Sequence, residues 1–152
     1  MAEMDYVVMM RESLEKKVAI LNCIIAENFK QKDILSSPDS SPDDFDATVE
    51  TKQKYIDELN SLDDGFQQMF DRVKAEFEKD KAPYAEEIKK MQQLIARITD
   101  LSVTVQKQEQ ENKNLMTQKF NFIKTKAREV RKSQSVVSQY YKSMMKPDSN
   151  EY

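Results

Sequence analysis

Apolar residues recur along this chain at steps of three and four, in three long runs. The first spans about residues 4–33, where Val7, Met10, Leu14, Val18, Leu21, Ile25 and Asn28 fall on one line. Met9, Ile20 and Ile24 widen that line. Such spacing follows the 3.6-residue turn and predicts an amphipathic helix. The second run covers 42–80, with Phe45, Val49, Lys52, Ile56, Leu59, Leu62, Phe66, Met69, Val73 and Phe77 in line. Its near-heptad spacing is that of a coiled coil or helical bundle. Gly65 lies inside this run and costs about 1 kcal/mol relative to Ala. It is read as a tolerated glycine, with a bend or a close helix approach as alternatives. The third run covers 83–145. It starts with Tyr84, Ile88, Met91, Ile95, Ile98, Leu101 and Val105, and fades through Gln106–Asn114. It resumes at Leu115, Met116, Phe120, Ile123, Ala127, Val130, Val137, Tyr141 and Met144. Residues 147–152, PDSNEY, read as a flexible tail.

Breaks between the runs have their own chemistry. LSSPDSSPDD, starting at Leu35, supplies two prolines and four serines, so 34–41 reads as a loop. Ser41 followed by Pro42, Asp43 and Asp44 is a helix start: a hydroxyl cap, a first-turn proline and acids at the positive end of the helix dipole. In KDKAPY, from Lys79, the residue before Pro83 is pushed out of the helical region, so the second helix should stop near Lys81. Pro83 would then open the third helix, with Glu86 and Glu87 in its first turn.

Composition supports helices throughout. The 152 residues include one glycine and four prolines, and 34% are charged. One glycine is too few for the turns of a sheet protein. The expected fold is all-α: an antiparallel helical hairpin or bundle of three long helices, forming one domain over 1–146. At 1.5 Å per residue the helices are roughly 45, 55 and 90 Å long. Short connections make sequential helices antiparallel neighbours. The third helix is the longest and passes the end of the second near residue 120. Either it bends within Gln108–Lys113 and folds back as a fourth helix, or it projects.

That surplus segment has unusual charge. Lys119–Lys146, KFNFIKTKAREVRKSQSVVSQYYKSMMK, holds eight Lys and Arg against one acid, Glu129, a net of +7. The rest of the chain carries 16 basic and 26 acidic residues, a net of −10. Enzyme chemistry is hard to place in such a sequence. There is no histidine, which removes the commonest general base and metal ligand. Gly65 stands alone, so no glycine-rich loop can cradle phosphates. Adjacent acids such as Asp43–Asp44, Asp63–Asp64 and Glu86–Glu87 point about 100° apart on a helix and do not share a site. No catalytic residue, metal ligand or cofactor is expected. The single Cys23 rules out an internal disulfide and reads as a small buried or half-buried hydrophobe. No apolar run approaches the ~20 residues of a membrane span. The start, MAEMDYVVMM, lacks the basic region of a signal peptide, so a cytoplasmic location is expected.

Three partners could meet the basic segment. Nucleic acid needs clustered cations, yet Lys124, Lys126, Arg128, Arg131 and Lys132 read as spread around the helix, and the acidic body repels a polyanion. A membrane-surface helix needs a broad apolar face, whereas this line is narrow and interrupted at Ser133 and Gln134. Another amphipathic helix fits best. Phe120, Ile123, Ala127, Val130, Val137, Tyr140, Tyr141 and Met144 are the candidate docking residues. Lys124, Arg128, Arg131 and Lys132 are the candidate steering charges. Packing within the protein or in a homodimer is the alternative: a structural coiled-coil or dimerisation module without a client.

The stretch Glu50–Glu109, above all KQKYIDELNSLDDGFQQMFDRVK, followed by QYYKSM at Gln139–Met144, resembles small flagellar export chaperones of the FlgN/FliT type. The resemblance implies an antiparallel helical bundle in the bacterial cytoplasm, serving flagellar assembly and protein export without catalysis. Its implied clients are hook-associated proteins, whose amphipathic terminal helices are held export-competent until they reach the export apparatus. The C-terminal helix is the implied binding element. That carries over only as a segment, about Phe120 to Met144, and the basic balance of Lys119–Lys146 is not part of it.

Overall fold

The computed structural model describes residues 2–145, without the side chains of Ala2, Val137, Tyr140, Tyr141, Ser143, Met144 and Met145. The expected tail at 147–152 lies outside the described residues. Three helices carry the fold: α1 (Ala2–Ser36), α2 (Pro42–Lys79) and α3 (Ala85–Met145). The described residues include no strand. The chain divides into two units, residues 1–113 and 114–152.

The helix boundaries follow from local chemistry. Ser41 caps α2 through a capping box: its Oγ accepts from the Asp44 N–H, and its own N–H donates to Asp44 Oδ2, both at 3.3 Å. The two bonds satisfy orphan donors at the helix start. Before that, α1 runs three residues past its expected end, because Leu35 is buried and rewards another turn. The Ser40 hydroxyl then donates to the Ile34 carbonyl at 2.6 Å and closes the loop. At the other break, α2 ends at Lys79, and Pro83 sits in a 3-10 turn, Ala82–Tyr84, so α3 opens at Ala85 rather than at the proline. Helical hydrogen bonding in α3 runs unbroken through Gln106–Asn114.

Within residues 1–113 the pairings fix the topology. Tyr6 meets Arg72 near the start of α1, and Gln31 meets Thr48 near its end, so α1 and α2 are antiparallel. Arg11 pairs with Glu87, and Asn28 with Gln108, so α3 lies parallel to α1. Lys52 reaches Glu109 at 2.6 Å, which sets α3 antiparallel to α2.

Two layers fill this unit. Val7, Met10, Leu14, Leu21, Val73, Tyr84, Met91 and Ile98 form an apolar core where α1 begins, α2 ends and α3 begins. Burying such side chains contributes roughly 1.5–3 kcal/mol each. Phe77 joins the core edge, its ring 5.3 Å from Tyr84 and 6.5 Å from Phe70. Burial, and then the carboxylates of Glu76, Glu3 and Asp80, raise the Tyr84 hydroxyl above its ordinary value.

Toward the other end the buried residues turn polar: Asn28, Gln31, Thr48 and Asn112. The Asn112 amide donates to the Asn28 carbonyl at 3.0 Å and to Gln31 Oε1 at 3.1 Å. Gln31 Nε2 donates to Thr48 Oγ1 at 2.9 Å, and Thr48 donates to the Phe45 carbonyl at 2.6 Å. Gln108 accepts from Asn28 and donates to the Ile25 carbonyl at 3.3 Å. The fading of the third apolar run is therefore a change of core chemistry: Gln108 and Asn112 still face inward, against polar partners. The Lys32–Glu111 and Lys52–Glu109 pairs flank this layer, each at 2.6 Å.

Two expectations need correction. Cys23 is exposed, not buried. The buried line of α1 runs through Leu21, Ile24 and Asn28, which turns position 23 outward, beside Tyr55, whose hydroxyl is raised above its ordinary value chiefly by the Cys23 charge. Ile24, assigned to the margin of the stripe, is buried, while Ile25 is only half-buried. At Gly65, an added Cβ would meet no atom within 4 Å, so the glycine serves no close helix approach.

Candidate docking helix

Residues 114–145 contain neither proline nor glycine, and α3 persists through them to Met145. Nothing in the sequence interrupts helical propagation before Pro147. Phe120, Ile123, Ala127 and Val130 step by three, four and three, which places them within about 80° of the helix surface. All four are exposed: Phe120 is 65%, Ile123 57% and Val130 55% accessible. The candidates Val137, Tyr140, Tyr141 and Met144 have side chains outside the described residues.

The cations lie on both flanks of the apolar line. Lys126 lies 3.7 Å from Glu129 and 5.7 Å from the Phe122 ring centroid, so its charge is spent locally. The Arg131 guanidinium Nε donates to the Ala127 carbonyl at 3.4 Å. No ion pair among the described residues engages Lys124, Arg128, Arg131 or Lys132. With Lys126 set apart, these four occupy an arc of about 100° beside the apolar line. Lys126 lies on the opposite flank, so the five cations do spread around the helix, as the sequence suggested.

Besides Met116, which lies on the apolar line and is 42% accessible, two exposed apolar residues lay outside the expected docking set. Phe122 is 61% and Val136 65% accessible. Both fall off the main stripe, one on the far flank of Lys126 and one near the back, so helical spacing alone did not select them. The signal was their type: large apolar residues on a polar face.

The arrangement offers apolar area and positive charge along the helix surface. Among the described residues, no three of His, Cys, Asp and Glu gather as a metal site, and no helix is long and apolar enough to cross a membrane. A shallow groove of about 520 Å³ between α1 and α2 is lined by Lys16, Ala19, Ile20, Asp57, Glu58, Ser61 and Leu62. None of the expected site residues with described side chains lines it.

A protein-family model described as "FlgN protein" matches residues 9–146, including both the bundle and the terminal helical segment. No curated protein and no solved structure matches the chain.

Proposed function

The chain belongs to the FlgN family of flagellar export chaperones, and from that premise we propose that its terminal helical segment binds the amphipathic terminal helices of hook-associated flagellar proteins. The protein works in the bacterial cytoplasm, without catalysis, and keeps these clients unassembled until they reach the export apparatus. The observation that carries the proposal is that Phe120, Ile123, Ala127 and Val130 fall on one line and are all exposed among the described residues. An uncovered apolar line of this kind marks an interaction site. Val137, Tyr140, Tyr141 and Met144 extend the same surface in sequence. Lys124, Arg128, Arg131 and Lys132 steer the encounter and orient the client, acting more on association rate than on affinity.

The test is calorimetric titration of the full chain with synthetic terminal helices of the bacterium's hook-associated proteins. Burying one large aliphatic side chain contributes roughly 1.5–3 kcal/mol. Ile123→Asp with Val130→Asp should therefore weaken binding by at least about 100-fold, while far-ultraviolet circular dichroism stays unchanged. Unchanged affinity for every peptide would remove the docking role. A concentration-dependent dimer of the free protein, lost in the same variant, would instead favour the dimerisation module without a client.

A further inference from the structure

Within the bundle, α3 has one stretch with little charge. Residues 91–106, MQQLIARITDLSVTVQ, hold only Arg97 and Asp100, whereas 34% of the whole chain is charged and 16 residues would carry about five. The bundle takes up Met91 and Ile98, which are buried, and Leu94, Leu101 and Val105, which are half-buried. On the outward side Ile95 is 49% and Val103 44% accessible, with Ala96 and Thr99 exposed between them. Exposed aliphatic residues scattered singly are ordinary. These are not scattered.

The outward face is symmetric about Thr99. Three positions away on either side stand Ala96 and Ser102, both small. Four away stand Ile95 and Val103, both β-branched and aliphatic. Seven away stand Gln92 and Gln106. Offsets of three, four and seven share a helix face, and these positions fall within an arc of about 120°. No charged residue of the stretch lies inside that arc. The Thr99 hydroxyl donates to the Ile95 carbonyl at 3.0 Å, so the central polar group is already satisfied within the helix.

A face with this symmetry fits a second copy of itself. In a two-fold contact, residue i meets j and j meets i. Two antiparallel α3 helices crossing at Thr99 set Ile95 of each copy against Val103 of the other, Ala96 against Ser102, and Gln92 against Gln106. A charge near the axis would meet its own like, so a self-pairing face is best left neutral. A partner of opposite charge would find nothing here to complement. Asp100 lies about 40° outside the arc and would approach its own equivalent across the border.

We propose that residues 92–106 of α3 form a self-complementary interface through which two copies of this chain pair, antiparallel about Thr99. The inference goes beyond client binding and uses none of the residues assigned to it, so either can fail alone. Two large aliphatic residues per copy make a small contact, so the dimer is weak and forms at high protein concentration. Salt tightens it, by screening the net charge of −3 on each chain and the two Asp100 carboxylates.

The experiment is sedimentation equilibrium of the full chain over about a hundredfold range of concentration, at low and high salt. The expected result is a monomer–dimer equilibrium that salt strengthens. Ile95→Glu with Val103→Glu should weaken it at least about tenfold, and so should Ile95→Lys with Val103→Lys. An equimolar mixture of the two variants should dimerise again, a rescue that a folding defect in either cannot produce. Register is read in a Cys23→Ser background, because Cys23 is exposed. Thr99→Cys, on the axis, should cross-link to its own copy under mild oxidation. Gln106→Cys should not, because its equivalent lies roughly 20 Å away along the pair, beyond the reach of a disulfide. A chain that stays monomeric at every concentration overturns the proposal. So does a dimer indifferent to both charged variants, or a mixture of them that stays monomeric. A dimer dissolved only by Ile123→Asp with Val130→Asp would place the contact on the terminal segment and overturn it too. Cross-linking of Gln106→Cys in place of Thr99→Cys overturns the two-fold axis. Client binding is read separately, by the peptide titration.

Discussion

Asn112 ties α3 to α1 at the polar end of the bundle, and its removal measures what that layer contributes. The side chain is buried, and its amide donates to both the Asn28 carbonyl and Gln31 Oε1, at 3.0 and 3.1 Å. In Asn112→Ala neither acceptor is wholly orphaned. The Asn28 carbonyl keeps its bond within α1, and Gln31 Oε1 keeps Lys52 Nζ at 3.3 Å. The cost is therefore two net hydrogen bonds at about 1 kcal/mol each, plus a small cavity, for roughly 2–3 kcal/mol. Asn112→Leu fills the volume but sets methyl groups against the same acceptors, and should cost about as much. Gln106→Ala, at an exposed position six residues earlier, should stay within about 0.5 kcal/mol. Urea unfolding followed at 222 nm gives all three. An Asn112→Ala midpoint equal to that of wild type would refute the reasoning and make the layer a passive solvated end.

Three further outcomes follow from the same coordinates. Gly65→Ala should stabilise the protein by about 1 kcal/mol, because the new Cβ meets no atom within 4 Å in mid-α2; a lower melting temperature would reveal a close approach that the structure lacks. Val73→Ala should cost about 2 kcal/mol and Val136→Ala less than about 0.5, since the first side chain is 0% and the second 65% accessible; equal chemical denaturation midpoints would contradict this. Tyr84 holds its proton more tightly folded than unfolded, through burial and then Glu76, Glu3 and Asp80. That contribution is whole below the unfolded value of 10.0 and is lost as pH rises through the raised folded value. Tyr84→Phe should flatten the alkaline fall in thermal stability, and an identical pH profile would exclude the effect.

The sequence was most legible where backbone chemistry is local. Ser41, Pro42 and Asp44 act through neighbours within four residues, so the start of α2 needed no tertiary information. The end of α1 did, because the helix reaches Ser36 only through the burial of Leu35. The polar layer was half-visible. Asn28 and Lys52 fell on apolar lines, which marked them as inward-facing, but Gln31, Thr48 and Asn112 did not, because polar residues leave no hydrophobic signal. Their burial depends on partners 17 and 81 residues away. Cys23 was misjudged for a related reason: a stripe widened by Ile20 and Ile24 left its margin undefined, and one residue of error on a helix is about 100° of rotation.

The separation of polar layer and docking seam has a mechanical consequence. An apolar layer near Gln108 and Asn112 would attract any neighbouring apolar residue. Amides and hydroxyls discriminate, because a methyl group set against them leaves a buried polar atom unpaired at a cost of about 1–3 kcal/mol. The layer therefore ends the bundle's demand for apolar surface before the second apolar line begins. Stability and docking thus draw on different residues. Under the proposed docking role, substitutions at exposed Ile123 or Val130 should weaken client binding without unfolding the protein, whereas substitutions at buried Val73 or Met10 should lower stability.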